Sequence, residues 1–512
     1  MISRSEAVRF LNQATFGATE ATIADLQNAG SYEVWIDQQV AEVGSVTEPY
    51  VRASSNGSLQ TTRHYIWWQN AMTGADQLRQ RVAFALSEVF VVSDIDYILS
   101  NSQYGMCNFY DMLAAESFSN FRDVLERVTL HPVMGVYLSM VRNEKADPSR
   151  NIRPDENFAR EILQLFTIGL YELDVDGQVR LDADGRPLAN YDQSTVEEFA
   201  KVFTGWDHAD SRAWDSNQGH DLTVPMVANE AFHDTSTKTL LNGVSLPAGQ
   251  TAAQDLKGAL DNIFAHPSVA PFIAKALIKR FVTSNPEPGY VQRVAETFID
   301  NGSGARGDLN AVIRAVLLDD EARKERSSDD AMFGKMKEPL LRLSQLWRAL
   351  DAVPGPGADD VYHTKVRTSD QLADVVGQSP MRSPSVFNFF LPDHPLGGED
   401  DLVAPEKQIL SEVNIASTNN MFFTQIGLND RAEAQQTQTT ITIDKQIDMA
   451  ADATVLVNHL DELLLAGQLP NELSAALVDS IESLPTDEVG RRARVVEALY
   501  CIVNSPYHYV QK

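Results

Sequence analysis

The sequence predicts a mainly α protein, a large multi-helix body with short β-hairpin and loop insertions. Three observations favour this fold class: apolar residues recur at helical spacing along most of the 512 residues, alternating runs typical of strands are scarce, and no long linker interrupts the chain. We therefore expect a single large helical domain over residues 5–512. The best linker is the run Pro354-Gly355-Pro356-Gly357, so the alternative is an internal division near 353–358.

The predicted helices follow one another along the chain. Ser5 is a candidate N-cap for a first helix that ends near Gly17. The segment from Leu78 to Val92 has such an excess of apolar residues that we expect a largely buried helix there. Periodicity predicts further helices at about 102–127, 132–142, 155–168, 192–204, 251–265, 268–283, 289–301, 307–319 and 336–350, and through the last hundred residues.

Strand signals are few. Residues 171–173 and 178–181 flank an Asp-Gly turn and predict a hairpin, and residues 439–443 form a weaker candidate strand. The carboxylates at Asp174, Asp176, Asp182 and Asp184 resemble part of a calcium-binding loop. The bidentate glutamate of such a loop is missing, so we expect plain turns without tightly held calcium.

Composition argues against several classes of partner. The chain has 42 basic and 71 acidic residues, a formal net charge of −29, which repels nucleic acid and anionic lipid. No apolar run approaches the roughly 20 residues of a membrane span. Cys107 and Cys501 are the only cysteines, so a disulfide framework is not expected, although a pairing of the two stays open. The start of the sequence lacks the features of a signal peptide, but a mature chain from which a leader had been removed would look the same.

Five segments together carry a family resemblance: Ala7–Gly17, Asp155–Gly169, Phe203–Trp206, Phe232–Thr235 with Lys238, and Gly377–Phe390. Their order and spacing resemble the long proteobacterial members of the family catalogued as domain of unknown function 1800, from about residue 5 to the C-terminal end. The resemblance implies an exported protein, periplasmic or extracellular, and a co-encoded exported sulfatase-like protein as a candidate partner. It implies no established activity. Shorter members resemble a pattern with histidines where this chain has Leu86, Glu88 and Phe166, which weakens any metal claim here.

The helix that follows Pro154 has two distinct faces. Asp155 is a candidate N-cap and Gly169 a candidate C-terminal glycine. One face is apolar, with Phe158, Ile162, Leu165 and Phe166; the other carries the polar stripe Asn157, Arg160, Glu161 and Gln164. This mixture of amides, guanidinium and carboxylate suits a buried polar network, and the alternative is a solvated face.

Other candidate residues lie in loops and at helix starts. His233 and Asp234, with Lys238 nearby, could serve as acid/base pair or as metal ligands if they lie in a loop. The His-Pro pairs at His131 and His266 are typical of helix starts with a capping histidine. The proline-punctuated segment 377–390 is either packed over the core or forms a pocket wall, with Arg382 as its only charge.

Two hypotheses about function remain. The first is an exported hydrolase with a carboxylate and histidine pocket formed by Glu161, His131, His233 and Asp234, alone or around a divalent metal ion, in which Asn157, Arg160, Gln164, Lys238 and Arg382 bind the substrate. The second is a non-catalytic extracellular binding or assembly protein. A polar pocket open to solvent would favour the first and a closed polar network the second. Substrate, metal and oligomeric state do not follow from the sequence.

Overall fold

The computed structural model describes residues 1–54, 59–214, 219–324, 332–354, 373–398, 402–427 and 439–512. The prediction of a mainly α protein is confirmed, since helices dominate these residues. The proposed division near 353–358 lies mostly outside the described residues.

The N-terminal half supplies the helices that surround the candidate residues. These are α1 (Arg4–Ala14), α2 (Glu20–Ala29), α3 (Tyr32–Ala41), α4 (Glu48–Ala53), α5 (Leu59–Thr73), α6 (Gln77–Ser87), α7 (Tyr97–Ser100), α8 (Gln103–Ala115), α9 (Phe121–Leu130), α10 (Pro132–Tyr137), α11 (Asn157–Gln164) and α12 (Gln193–Val202).

The remaining helices follow later in the chain. They are α13 (Ala252–Ala265), α14 (Val269–Phe281), α15 (Pro288–Ile299), α16 (Leu309–Leu318), α17 (Asp320–Arg323), α18 (Pro339–Ala349), α19 (Ala373–Val376), α20 (Glu412–Gly427), α21 (Asp444–Met449), α22 (Ala453–Leu465), α23 (Asn471–Glu482), α24 (Glu488–Val503) and α25 (Pro506–Tyr509), with short 3₁₀ helices at Leu241–Gly243 and Pro405–Gln408.

Local capping chemistry moves several helix boundaries from their predicted positions. The first helix is capped by Ser3 and not by Ser5, because Ser3 and Glu6 each accept a hydrogen bond from the backbone N–H of the other. The predicted helix at 102–127 is two helices, α8 and α9, since Asn120 starts a new cap between them. In α11, Glu156 takes the N-cap position, while Asp155 accepts a hydrogen bond from the N–H of Asn157.

Within the residues that the structure describes, strands are confined to short antiparallel pairs. The three two-stranded sheets found there join β1 (Trp206–Asp207) to β2 (Val227–Ala228), β3 (Lys238–Thr239) to β4 (Ser245–Leu246), and β5 (Lys335–Met336) to β6 (Val510–Gln511). The predicted hairpin at 171–181 forms as single antiparallel bridges that continue to Ala189. The weaker candidate at 439–443 contributes one bridge, between Thr440 and Val353, and is otherwise irregular.

Buried apolar side chains form one continuous cluster that reaches from Ala7 in α1 to Val503 in α24. The segment from Leu78 onward is buried as predicted, although the helix ends at Ser87 and residues 89–92 continue as buried irregular chain. Cys107 is buried, Cys501 is exposed, and the two are not paired. Within the described ranges, no helix is long and apolar enough to cross a membrane.

A group of charged side chains interrupts this apolar interior where α6, β5, α18 and the 3₁₀ helix at 405–408 meet. We call it the Lys335 cluster: Lys335, Glu338, Glu406 and Glu88, each at most 4% exposed. The ammonium of Lys335 lies 2.9 Å from a carboxylate oxygen of Glu406 and 3.7 Å from one of Glu338. Burial raises the pKa of Glu406, and raises that of Glu88 well above its ordinary value. Burial also acts to raise the pKa of Glu338, but Lys335 and Arg81 outweigh it and hold that pKa low.

Candidate functional site

Glu161 is the buried member of the polar stripe on α11. The residue is 6% exposed, and its Oε2 atom has no hydrogen-bond partner among the residues that the structure describes. Burial raises the pKa of this carboxyl, against a smaller opposing effect of Arg160. Burial also raises the pKa values of Tyr137 and Tyr191 to about 12, with a contribution from the charge of Glu161 in both cases. The carboxyl of Glu161 is therefore held near two phenols and not opposite a cation.

The other residues of the stripe lie at the surface. Asn157 is exposed, and Arg160 and Gln164 are half-buried. The guanidinium of Arg160 donates to Glu156 at 2.8 Å and to Gln193 at 3.2 Å, so it is directed along the surface. The stripe is thus mostly solvated, and the expected buried network is reduced to Glu161.

His233 and Lys238 meet in a closed ionic network that the sequence did not reveal. We call it the His233 triad: His233, Lys238 and Asp255, each at most 1% exposed. The carboxylate oxygen Oδ2 of Asp255 lies 3.0 Å from His233 Nε2 and 2.6 Å from Lys238 Nζ. The other ring nitrogen, Nδ1, lies 3.0 Å from the carbonyl oxygen of Thr204 and donates to it. Both ring nitrogens of His233 are therefore engaged, and a substrate has no access to them.

Asp234 lies at the edge of the triad, with its carboxylate 3.9 Å from the ammonium of Lys238. That carboxylate accepts hydrogen bonds from the backbone N–H and the hydroxyl of Ser236, so it stabilises the turn that leads to β3. Lys238 reaches back to the carbonyl oxygens of Asp234 and Ser236. Through these contacts, the segment 233–238 holds the C-terminal end of α12 close to the start of α13.

His131 and His266 have the capping role that their His-Pro pairs predict. Nδ1 of His131 accepts a hydrogen bond from the N–H of Val133, and its Nε2 lies 3.1 Å from the side-chain oxygen of Asn108. Burial lowers the pKa of His131 to about 3, which keeps the ring neutral. Nδ1 of His266 likewise accepts from the N–H of Ser268. None of the contacts of His131 involves Glu161 or His233, so the predicted carboxylate and histidine pocket is not assembled.

Arg382 belongs to a second buried ionic group. Arg382 donates a hydrogen bond to the carboxylate of Asp94 at 2.9 Å. The same carboxylate also accepts hydrogen bonds from Arg63 at 2.5 Å and from Gln60 at 2.7 Å. Asp94 and Arg63 are almost fully buried, whereas the side chain of Arg382 is 21% exposed. The segment 377–390 is therefore fastened to the chain around residue 94, and its arginine is committed to a structural ion pair.

No group of three or more His, Cys, Asp or Glu side chains that could hold a metal ion occurs in the described part of the chain. At the Asp-Gly turns, the carboxylates of Asp176 and Asp182 accept backbone N–H groups of their own turns. Gly177 and Gly185 both have φ of 78°, the left-handed geometry that such hairpin turns require. The divalent metal ion of the first hypothesis thus stays a prediction without an assembled set of ligands.

A cleft of about 670 Å³ lies between α2, α3, the C-terminal end of α5 and the C-terminal end of α18. It is lined mostly by hydroxyl and amide side chains, with apolar contributions from Trp35 and Met72: Thr15, Thr19, Thr22, Asp25, Asn28, Ala29, Trp35, Gln38, Gln39, Glu42, Met72, Thr73, Gly74, Ala75, Gln77 and Arg348. Its volume is in the range of small-molecule sites. We call it the N-terminal cleft.

Arg348 lines the floor of this cleft and is bonded there to the chain at Gly17. Nε of Arg348 donates to the carbonyl of Gly17 at 2.7 Å, and its Nη1 donates to the carbonyl of Met72 at 2.6 Å. Gly17 has a φ of 136°, and a Cβ added there would lie 2.7 Å from the Cα of Gln345. The close approach of α18 to the loop after α1 therefore needs glycine at this position.

Residues 9–510 match the family described as Protein of unknown function (DUF1800). The chain belongs to the DUF1800 family. No curated protein and no solved structure matches it. The first of the five segments that carried the resemblance, Ala7–Gly17, ends at the floor of the N-terminal cleft, and the segments with His233 and Arg382 form buried ionic groups.

Sequence reasoning missed two kinds of residue in this DUF1800 protein. Asp255 reads as an ordinary acidic residue in the first turn of α13, and only the fold brings it to His233. Gln77 and the other residues of the N-terminal cleft come from several helix ends and match no motif. A polar helix end next to a Gly turn, as at Gly74 to Gln77, is the one local signal that could have indicated the cleft.

Proposed function

We propose that this protein is a non-catalytic binding protein whose ligand occupies the N-terminal cleft. The observation that carries the proposal is the cleft itself: about 670 Å³ of solvent-connected space with a polar lining, made from residues outside every predicted catalytic group. The closed His233 triad supports the same conclusion, since an acid/base group must reach a substrate.

Closing the cleft should abolish ligand binding without changing the fold. Asn28 is an exposed residue of α2 that lines the cleft, so Asn28→Trp places a large side chain in its mouth. Ala24→Trp, one turn earlier on the same helix and outside the lining, is the matched control. We expect saturable binding from at least one member of a panel of 1,5-diaminopentane, 1,5-pentanediol, glucose and glutamate, measured by ligand-observed NMR. That binding should be lost in Asn28→Trp and retained in Ala24→Trp; persistence in Asn28→Trp, or no binding of any probe, would contradict the proposal.

A hydrolase with Glu161 as its acid/base group is the second candidate, favoured by the buried Oε2 atom that has no partner. Glu161→Gln keeps the shape and removes the charge, so on this hypothesis activity on a panel of ester and glycoside substrates disappears. No activity in the unaltered protein, or equal activity in both proteins, would exclude Glu161 from catalysis.

The same substitution has a predicted effect on stability. The pKa of Glu161 is raised in the folded protein, so its favourable contribution is present below the unfolded pKa of about 4.3 and is lost as pH rises through the folded value. Glu161→Gln should therefore raise the free energy of unfolding at pH 7 and change it little near pH 4. Glu156→Gln, which removes the surface partner of Arg160, should instead lower it by about 1 kcal/mol or less. Urea unfolding at both pH values checks this, and a loss of stability in Glu161→Gln at pH 7 would show that the carboxylate has a favourable partner.

That binding takes place outside the cytoplasm, in the periplasm or the extracellular space, stays a prediction. Family membership and the net charge of −29 support it. Fractionation of cells that carry the native gene tests it, and recovery of the protein in the cytoplasmic fraction would count against it.

A further inference from the structure

We infer that the N-terminal cleft is specific for an aliphatic amine, a ligand that brings hydrogen-bond donors and positive charge. This inference rests on the proposed binding function and names its ligand class. The ligand class follows from the hydrogen-bond donors and acceptors of the lining that the protein itself already uses.

Gln77 supplies a buried acceptor that has no donor. The residue is 4% exposed and lines the cleft. Its Nε2 donates to the carbonyls of Gly74 at 2.9 Å and Ala71 at 3.1 Å, which fixes the orientation of the amide. Its Oε1 is buried and has no hydrogen-bond partner in the structure. A buried acceptor without a donor costs free energy, and this one lies just beneath the surface of the cleft, where it adds to the excess of acceptors around a ligand.

Most hydrogen-bond donors of the lining already donate to carbonyl groups of the protein itself. The hydroxyl groups of Thr15, Thr22 and Thr73 donate to the backbone carbonyls of Leu11, Thr19 and Gln69. The amide nitrogen of Gln39 donates to the carbonyl of Ala75, and Arg348 donates to the carbonyls of the cleft floor. A ligand therefore meets a surface with more acceptors than donors.

The charges of the cleft lining also favour an amine as the ligand. Asp25 and Glu42 are exposed carboxylates of the lining, and within the described residues neither forms an ion pair. The only cation of the lining, Arg348, is 4% exposed and bonded to carbonyl oxygens. An ammonium group is thus preferred over a neutral polyol or an anion, and Trp35 and Met72 offer apolar contact to an aliphatic chain.

Two probes of matched shape separate charge from size: 1,5-diaminopentane and 1,5-pentanediol. We expect saturable one-to-one binding of the diamine at millimolar concentration and none of the diol. Asp25→Asn combined with Glu42→Gln should weaken diamine binding by about tenfold, and added salt should weaken it in the unaltered protein. The control is Glu33→Gln combined with Glu472→Gln, which removes two exposed carboxylates outside the lining and should leave diamine binding unchanged.

Each result of these binding experiments either supports the amine specificity or overturns it. Loss of affinity in the cleft variant alone supports it. Equal weakening in the cleft and control variants would identify the effect as general attraction to an acidic protein and overturn it, as would diol binding equal to that of the diamine or no saturable diamine binding. If the diol or glucose binds and Asn28→Trp removes that binding, the cleft remains a ligand site and only the amine specificity fails.

Discussion

Asp255→Asn is expected to lower the free energy of unfolding by about 3–5 kcal/mol, because it removes the anion that Lys238 and His233 share. All three side chains are almost fully buried, so water cannot replace the lost partner. The ammonium of Lys238 would retain two carbonyl oxygens and the more distant carboxylate of Asp234, at 3.9 Å, as partners. Urea denaturation monitored by circular dichroism measures the change.

Asp234→Asn is the matched control for this prediction. Asp234 is adjacent to His233, but its carboxylate is hydrogen-bonded to Ser236 in a partly exposed turn and lies 3.9 Å from Lys238 Nζ, against 2.6 Å for Asp255. Its replacement should cost about 1 kcal/mol or less. If Asp255→Asn were as mild as Asp234→Asn, the triad would not hold α12 and α13 together as we describe.

Lys335→Met should lower the free energy of unfolding by a similar amount, about 3–5 kcal/mol at neutral pH, because it removes the ammonium beside two buried carboxylates, Glu406 and Glu338, and leaves only Arg81 to act on Glu338. The deficit should become smaller as the pH falls. Without Lys335 the folded pKa values of both carboxyls rise, and stability from a group with a raised folded pKa is present at low pH and lost as pH rises through that value. Thermal unfolding at pH 7 and pH 5 tests the direction.

The exposed ion pair of Lys257 and Asp261 provides the comparison for Lys335. Its lysine side chain is 72% exposed, so Lys257→Met should change stability by less than about 1 kcal/mol at either pH. A deficit in Lys335→Met that is constant between pH 7 and pH 5, or larger at pH 5, would mean that the carboxyls of the Lys335 cluster do not take up protons.

Helices could be predicted wherever their signals are local. Periodicity and terminal residues place α13 within a residue of the predicted 251–265, since Thr251 and Gln254 form a capping box and His266-Pro267 follows. The predicted helix 132–142 was too long, because the chain leaves the helix after Tyr137 and Ser139 adopts a left-handed conformation at φ 59°. Such an ending depends on packing against other elements, which periodicity does not record.

The candidate site was less accessible to sequence reasoning than the fold. Burial of polar groups was considered for the stripe on α11, where Glu161 alone is buried, whereas His233 and Lys238 were expected in a loop. The partner that His233 and Lys238 share, Asp255, comes from another element. A histidine beside an aspartate suggests an acid/base pair, whereas the fold gives His233 a different aspartate 22 residues later. The N-terminal cleft needs the relative placement of four helix ends, so no single segment predicts it.

The pairing of β5 with β6 has a consequence for the order in which this protein can assemble during synthesis. Lys335 and Met336 pair with Gln511 and Val510, and the side chain of Gln511 donates to the carbonyl of Phe281 at 2.8 Å. The strand that pairs with β5 beside the Lys335 cluster thus comes from a segment about 175 residues later in the chain. While a ribosome is still translating the residues in between, the carboxylates beside Lys335 lack the packing partners that come from the end of the chain. The earlier helices must therefore remain loosely packed there until residues 506–511 have been synthesised.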